Sequence, residues 1–193
     1  MGTKGSANRQ RIVDAADRLF YSRGYNQTSF SDISDETGIP RGNFYYYFKT
    51  KEEILEAVVE SRVSIFRNML EQCEQKTSEP RERLLLFTAL PLSNEEQVIQ
   101  YGCPIGTLSS ELAKDQEHEL SRAKLTVVFD VLIDWCEKQF CLLGMESRAK
   151  KYAMDLIARL QGIVQVAYIY NDSQFLEQST DDVKNWIRQI TSN

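Results

Sequence analysis

The residues of this chain that are best suited to binding a polyanion lie together in one short segment, IPRGNFYYYFKTKEEIL. Three successive tyrosines, Tyr45, Tyr46 and Tyr47, stand between Arg41 and Lys51. Tyrosine hydroxyls and basic side chains suit phosphate oxygens, whereas arginine and asparagine side chains can reach base edges in a DNA major groove. These residue types in this order therefore favour recognition of nucleic acid.

Residues that flank the tyrosines favour the same chemistry. Gly42 permits a close approach of the backbone to a ligand. Thr28 or Ser29 is expected to cap one helix and Thr50 another, and the amide ends of helices attract anions. Lys51 lies at the second of these ends, where the alternative interpretation is a charged side chain on a solvated face.

The phenylalanines of the segment have a different role. Residues three or four apart share one face of a helix, so Phe44 and Phe48 are expected to point together into a core with Phe20 and Ile33. Three successive tyrosines fan out around the helix axis, and so small a domain cannot bury all of them. Part of the tyrosine run is therefore predicted to face outward.

The elements that would position these side chains are helices. A first helix is predicted over residues 8–23 and is ended by Gly24. A short second helix, a tight turn at Gly38 and Pro40, and a third helix over 41–48 follow. Two short helices joined by a tight turn behind a longer helix are typical of a helix-turn-helix. The apolar stripe of the first helix consists of Ile12, Ala15, Ala16, Leu19 and Phe20.

The remainder of the chain also has helical periodicity, and no stretch of strict alternation predicts a sheet. A long helix is expected from Thr50 to about Gln75, with Thr50 and Glu53 forming a capping box. The sequence therefore predicts an all-α fold, in which a three-helix helix-turn-helix domain precedes a helical bundle. The other predicted helices lie at roughly 80–92, 104–113, 116–141, 147–170 and 180–191, with 93–102 left ambiguous.

The charge distribution is more informative than the total charge. The 193-residue chain has a formal net charge of −5, which by itself disfavours a nucleic-acid partner. Residues 1–51, however, carry eight Lys/Arg and five Asp/Glu, whereas residues 52–193 carry fifteen and twenty-three. A positive head on an acidic body is compatible with DNA binding by the head alone.

Several function classes are disfavoured by what the sequence lacks. The spacing of the four cysteines matches no zinc pattern and His118 is the single histidine, so no metal or cofactor is expected. The sequence has no Ser/His/Asp set and no glycine-rich phosphate loop, and an enzyme is not predicted. No apolar run could span a bilayer and no signal peptide is recognisable, which predicts a cytoplasmic protein with reduced thiols and no membrane partner.

The segment TSFSDISDETGIPRGNFYYYFKTKEEIL resembles the DNA-binding segment of the TetR family of bacterial transcriptional regulators. The resemblance covers about the first sixty residues and implies a sequence-specific regulator, expected to be a repressor released from its double-stranded DNA operator by a small-molecule effector. Tyr47 occupies a position that is often His in the family. The residues implied to lie near bases are Arg41, Gly42, Asn43 and Tyr46, and those implied at the phosphate backbone are Thr28, Tyr45, Tyr47 and Lys51. Ser29 is a further candidate DNA-binding residue.

The resemblance divides the chain into a DNA-binding domain, 1–51, and a ligand-binding and dimerisation domain, 52–193. Family members form homodimers through their last two helices. The stretch 153–170 agrees with this, because it is apolar on more than one face and must be buried on more than one side. The alternative is that both helices pack wholly within one chain. The predicted interface residues are Leu156, Leu160, Ile163, Val183, Trp186, Ile187 and Ile190.

The effector pocket is harder to predict. The stretch YGCPIGTLSSEL places Cys103 at the start of a helix, where a thiol can become reactive. Cys103 is thus either a sensor of oxidants or electrophiles, which would be an alternative function on the same fold, or a small buried hydrophobe. The candidate pocket residues, each of which could equally be plain core, are Phe66, Met69, Phe87, Tyr101, Cys103, Leu108, Phe129 and Trp135.

Overall fold

The computed structural model describes residues 3–113 and 119–192, without the side chains of residues 3–4, 41 and 119–125. Within these ranges the chain forms helices and no strands, which confirms the predicted all-α fold. The helices are α1 (Thr3–Arg23), α2 (Phe30–Thr37), α3 (Arg41–Tyr47), α4 (Lys51–Lys76), α5 (Pro80–Thr88), α6 (Leu90–Ser93), α7 (Glu95–Tyr101), α8 (Pro104–Leu112), α9 (Glu119–Leu142), α10 (Ala149–Tyr170) and α11 (Ser173–Ile190).

Local sequence signals set the ends of the first helices. Gly24 ends α1 at a φ of 92°, a left-handed conformation that favours glycine. Of the two candidate caps of α2, Ser29 is the one used: its hydroxyl accepts from the amide of Asp32, and the Asp32 carboxylate accepts from the amide of Ser29. Gly38, at a φ of 63°, then turns the chain from α2 towards α3.

Four features differ from the sequence prediction. The first helix begins at Thr3 rather than near residue 8. The helix expected over 80–92 is interrupted at Ala89, and most of the ambiguous stretch 93–102 is helical. The last helix begins at Ser173 rather than near residue 180. Its start follows from Asp172, whose carboxylate accepts from the amide of Phe175, and from the fully buried Leu176 one residue later.

The chain packs as two compact units. One unit comprises residues 1–64 and 107–126, and the other comprises 65–106 and 127–193. The core of the second unit includes a cluster of Val98, Val164, Ala167 and Leu176, which joins α7, α10 and α11. The functional division at residue 51 stays a prediction, since the division by packing falls within α4, α8 and α9. None of the described helices is long and apolar enough to cross a membrane.

Candidate nucleic-acid interface

One face of α3 is buried, as its spacing predicts. Phe44 is 1% exposed and Phe48 is 2% exposed, and Phe20 and Ile33 are buried in the same unit. The ring of Phe30, at the start of α2, meets Phe44 edge-on with 4.8 Å between ring centroids. These contacts fix how α3 lies on α2, and therefore which of its residues face solvent.

The opposite face of α3 is open. Tyr46 is 68% exposed and Tyr45 is 52% exposed, and Gly42 and Asn43 are also exposed. The Tyr45 ring stacks on Phe30 at 5.4 Å, which holds it on the surface in a defined orientation. The outer face of α3 thus offers two hydroxyls, one amide side chain and one bare backbone position to a ligand.

The third tyrosine and the arginine differ from these residues. Tyr47 is half-buried, and its hydroxyl accepts a hydrogen bond of 3.2 Å from the Asn8 Nδ2 atom of α1. Its ring packs edge-on against that of Tyr46, with 5.3 Å between the ring centroids. Arg41 begins α3, but its side chain lies outside the described part of the structure.

Two of the residues assigned to phosphate contacts point into the protein. Thr28 is 1% exposed and donates its hydroxyl to the Gly24 carbonyl at 2.7 Å. The Lys51 Nζ atom donates to the carbonyls of Tyr25 at 3.0 Å and Thr28 at 3.2 Å, and it lies 4.0 Å from the centroid of the Tyr25 ring. Desolvation by burial lowers the pKa of Lys51, although Glu52 and Glu111 oppose that shift.

The structure therefore corrects the assignment of the Thr28 side chain, whereas that of Lys51, which is half-buried, stays a prediction. The Thr28 hydroxyl and two of the three possible Lys51 hydrogen bonds are already used to hold the loop between α1 and α2. Ser29, the neighbouring candidate, is exposed at the first turn of α2. Its hydroxyl and its amide nevertheless donate to one oxygen of the Asp32 carboxylate, at 2.6 and 2.7 Å, so its donors are also engaged within the protein.

The sequence does not predict two residues on other helices that hold the end of α2 and the loop before it. The Arg11 guanidinium, on α1, donates to the Thr37 carbonyl at the end of α2 with a distance of 2.8 Å. The Glu111 carboxylate, on α8, accepts from the amides of Tyr25 and Asn26 at 2.8 and 2.6 Å. The partners in these hydrogen bonds are 26, 86 and 85 residues apart in the sequence. Residue type and local spacing give no signal for contacts between residues so far apart.

The candidate pocket residues are distributed over the fold. Phe87 is buried and meets the half-buried Trp135 at 5.7 Å, and the Trp135 indole donates to the Glu74 carboxylate at 3.0 Å. Leu108 is buried but belongs to the other packing unit. Phe66, Met69, Tyr101 and Phe129 are half-buried.

A surface groove of about 600 Å³ lies in the second unit and involves none of these eight residues. It is lined by Leu92, Ser93, Glu95, Glu96, Ile99, Gln100, Asn171 and Ser173. Its carboxylates are exposed to solvent, so the groove gives the pocket prediction no support.

Cys103 is half-buried, and its sulfur receives two hydrogen-bond donors. The Gln161 Nε2 atom lies 3.3 Å from Sγ, and the Gly106 amide lies 3.4 Å from it. A Cβ added at Gly106 would lie 2.7 Å from the Gln161 side-chain oxygen, so glycine makes this close packing possible. No group of three or more His, Cys, Asp or Glu side chains suited to a metal ion occurs in the part of the chain that the structure describes.

The predicted interface residues are largely occupied within the single chain. Leu156, Leu160, Val183 and Ile187 are each at most 6% exposed, which leaves them little surface for a partner. Their assignment as partner contacts is revised, because they form the chain's own core between α10 and α11. The other three, Ile163, Trp186 and Ile190, are half-buried.

A second apolar face of α10 is open. It agrees with the prediction that this helix is apolar on more than one side. Its exposed hydrophobic residues are Met154 at 51%, Val166 at 39%, Tyr168 at 38%, Ile169 at 64% and Tyr170 at 76%.

Comparison with known proteins gives concordant results. The family described as bacterial regulatory proteins, tetR family, matches residues 12–58. The chain is 30% identical over 187 residues to an uncharacterised HTH-type transcriptional regulator of Lactococcus lactis, with 94% of each chain covered. It is 32% identical over 137 residues to the uncharacterised HTH-type transcriptional regulator YxaF of Bacillus subtilis, covering 69% of this chain and 68% of that one.

Solved structures agree on the fold across both units. A TetR transcriptional regulator from Chloroflexus aurantiacus superposes with a TM-score of 0.83 at 24% identity, covering 96% of each chain. The reduced form of NemR from E. coli superposes with a TM-score of 0.78 at 22% identity, covering 92% of this chain and 96% of that one. At these identities the likeness concerns the fold alone.

Proposed function

The chain belongs to the TetR family of bacterial transcriptional regulators, and we propose that it is a repressor that binds a specific operator as a homodimer and leaves it when a small-molecule effector binds. The observation that carries this proposal is the outward face of α3. Tyr45, Tyr46 and Asn43 stand on the solvent side of a helix whose other side is anchored by Phe44 and Phe48. A short helix held in this way is suited to entering a major groove.

The side chains of this interface divide into two chemical groups. Asn43 and Tyr46 contact base edges in the proposal, with Arg41 beside them at the start of α3, and Gly42 allows the backbone to approach the duplex. Tyr45 contacts phosphates through its exposed hydroxyl in the proposal, whereas Ser29 would do so only by exchanging its hydrogen bond to Asp32. Tyr47 contributes chiefly by holding α3 against Asn8 of α1.

A homodimer would use the exposed apolar face of α10. A helix that buries one apolar face in its own chain and exposes another requires a second covering surface. Met154, Val166 and Ile169 lie within about a third of a turn of one another when 100° is allotted to each residue. A second copy of the chain supplies a matching surface, and two heads can then read half-sites about 34–36 Å apart.

The effector binds the helical bundle in the proposal. An effector acts through its differential affinity for the DNA-bound and the DNA-free conformation, because only that difference shifts the population. A second candidate, sensing of oxidants or electrophiles by Cys103, is supported by the two hydrogen-bond donors at its sulfur. Donors at this position stabilise the negative charge of an attacking thiolate.

The experiment that tests the proposal is selection of bound fragments from a genomic library, followed by affinity measurements on the selected and on random DNA. Asn43→Ala is expected to reduce affinity for selected DNA and leave random DNA nearly unchanged, whereas Tyr45→Ala reduces both. Failure of the wild-type chain to select any sequence would overturn the proposal. Screening compounds and oxidants for release, with Cys103→Ser alongside wild type, then separates the effector from the thiol sensor.

A further inference from the structure

The backbone of the loop between α1 and α2 is bound by the carboxylate of Glu111. Glu111 lies near the end of α8, and its Oε2 atom accepts from the Tyr25 amide at 2.8 Å while its Oε1 atom accepts from the Asn26 amide at 2.6 Å. Both oxygens are thus engaged with consecutive backbone amides. Hydrogen bonds to an ionised acceptor are stronger than those between neutral groups.

The conformation of the loop is fitted to this contact. At Gly24 a Cβ would lie 3.1 Å from Oε2 and 3.2 Å from Oε1 of Glu111, and the φ of 92° already favours glycine there. Tyr25 is 3% exposed and packs edge-on against Phe20. The absence of a side chain at Gly24 therefore allows the Glu111 carboxylate to lie close to the backbone of the loop.

A cation holds the same loop from α4. Lys51 donates to the carbonyls of Tyr25 and Thr28, so the Tyr25 residue is bound through its amide by α8 and through its carbonyl by α4. Ser29, which caps α2, follows directly. The orientation of α2, and of α3 packed on it, depends on the conformation of this loop.

We propose that Glu111 is a positioning residue for DNA recognition: its carboxylate fixes loop 24–28 and thereby holds α2 and α3 in the orientation that reads an operator. The inference rests on the proposed function, and it assigns to α8 a direct part in forming the DNA-reading surface. Glu111 lies more than fifty residues beyond the segment 12–58 that the family matches.

The sign of the expected effect distinguishes this role from simple electrostatics. Removing a negative charge from a protein strengthens its binding to a polyanion when charge alone acts. If Glu111 positions the loop, its neutralisation weakens binding to the operator instead. Non-specific binding, which depends on phosphate attraction rather than on alignment of α3 with bases, should not weaken.

The test compares Glu111→Ala, Glu111→Gln and the control Ser110→Ala, an exposed position next to it on α8. Glutamine keeps one acceptor oxygen and loses the charge, so it is expected to weaken affinity for selected DNA about 3- to 10-fold, and alanine about 10- to 100-fold. Affinity for random DNA is expected to stay within about twofold of wild type for every variant. Amide hydrogen exchange should accelerate at Tyr25, Asn26 and through α2 in Glu111→Ala, while the core of α4 keeps its protection.

Three results would overturn the inference. The first is amide hydrogen exchange in loop 24–28 and α2 that is equally fast in Glu111→Ala and in wild type, a measurement that needs no DNA. The second is a selected-to-random affinity ratio in Glu111→Ala equal to that of Ser110→Ala. The third concerns the protection of the whole domain and is given below. If wild type selects no DNA at all, the proposed function fails by itself, and the exchange data still decide whether Glu111 fixes α2. A variant that loses protection everywhere, α4 included, would identify Glu111 as a general stability residue and also overturn the inference.

Discussion

The Arg62 Nε atom of α4 donates to the Asp17 Oδ1 atom of α1 at a distance of 2.6 Å, and Arg62 is only 4% exposed. Removing Asp17 takes from the nearly buried Arg62 guanidinium one of the groups that compensate its charge. Asp17→Ala should therefore lower the free energy of unfolding by roughly 2–3 kcal/mol, at the lower end for buried pairs because Asp17 itself is partly exposed. Urea denaturation measures this change.

The chain offers a matched control for that ion pair. Arg18 of α1 and Glu36 of α2 form another ion pair between helices, but their side chains are 63% and 43% exposed and 3.4 Å apart. Removal of such a pair costs about 0–1 kcal/mol. Glu36→Ala should thus leave the urea midpoint almost unchanged, and equal losses in the two variants would contradict the importance given to burial of Arg62.

Gly42 provides a separate test of the α3 surface. No heavy atom lies within 4 Å of a Cβ built at this position, so Gly42→Ala fits the free protein and should raise its stability by about 0.5–1 kcal/mol, because alanine is the better helix former. In the DNA complex the added methyl group would meet the duplex. Affinity for selected DNA should fall at least about tenfold, roughly 1.4 kcal/mol. A more stable variant with wild-type affinity would show that the backbone does not approach DNA there.

The sequence predicts which side chains of this interface are buried better than it predicts the long-range hydrogen bonds that hold the interface. Phe44 and Phe48 are both buried, as their spacing of four residues predicts, although Phe48 is the extended residue that directly follows α3. The inward direction of Lys51 could not be predicted in this way, because its acceptors are backbone carbonyls 23 and 26 residues earlier in the chain. Contacts of that kind depend on how helices pack, and every residue has a carbonyl to offer.

The interface residues on α10 illustrate a second limit. Periodicity identifies two apolar faces but does not say which one the chain itself covers. Packing against α11 buries the face that includes Leu156 and Leu160, and leaves Ile169 exposed. The start of α11 is a different case. Its capping residue Asp172 is recognisable in the sequence, but periodicity alone predicts a start near residue 180, which is too late.

Two buried cysteines give the fold a pH dependence at alkaline pH. Burial raises the pKa of the Cys136 thiol, with a smaller contribution from Cys73, and burial is also the main cause of the raised pKa of Cys73. The unfolded thiols ionise near pH 8.5 while the folded ones stay neutral. Stability is therefore fully present below about pH 8.5 and falls above it, by up to about 1.4 kcal/mol per pH unit for each thiol.

Cys136→Ala isolates this contribution from that of other groups that titrate at high pH. The variant should be less stable at pH 7 by about 1 kcal/mol because of the smaller side chain, but its stability should decline less steeply between pH 8.5 and 10.5. Urea denaturation of both proteins across that range gives the two slopes. Parallel slopes would mean that the thiol ionises equally readily in the folded and unfolded chain.

Gln161 should control the reactivity of Cys103. Its Nε2 atom donates to the sulfur at 3.3 Å, and loss of one such hydrogen bond is worth about 0.5–1.5 kcal/mol, or roughly a 3- to 10-fold change in rate. Gln161→Leu should slow alkylation by iodoacetamide by that factor, measured in a Cys141→Ser background so that the half-buried Cys141 does not contribute. Gln161→Glu supplies the comparison, since a carboxylate in place of the donor should slow the reaction further. An unchanged rate in both variants would remove Gln161 from the thiol site.

Ile169 is the strongest test of the homodimer. It is 64% exposed on α10, so Ile169→Asp should not disturb the core of its own chain, but a dimer formed through this face would bury the new charge without a partner. Sedimentation should find the variant monomeric at micromolar concentration while its thermal unfolding stays close to that of wild type. Leu142→Asp is the matched control, because Leu142 is 56% exposed on α9 and lies outside this face.

Since a monomer reads only one half-site, Ile169→Asp should also lose most of its affinity for selected DNA. A dimeric Ile169→Asp protein with wild-type affinity would exclude this face of α10 from the interface.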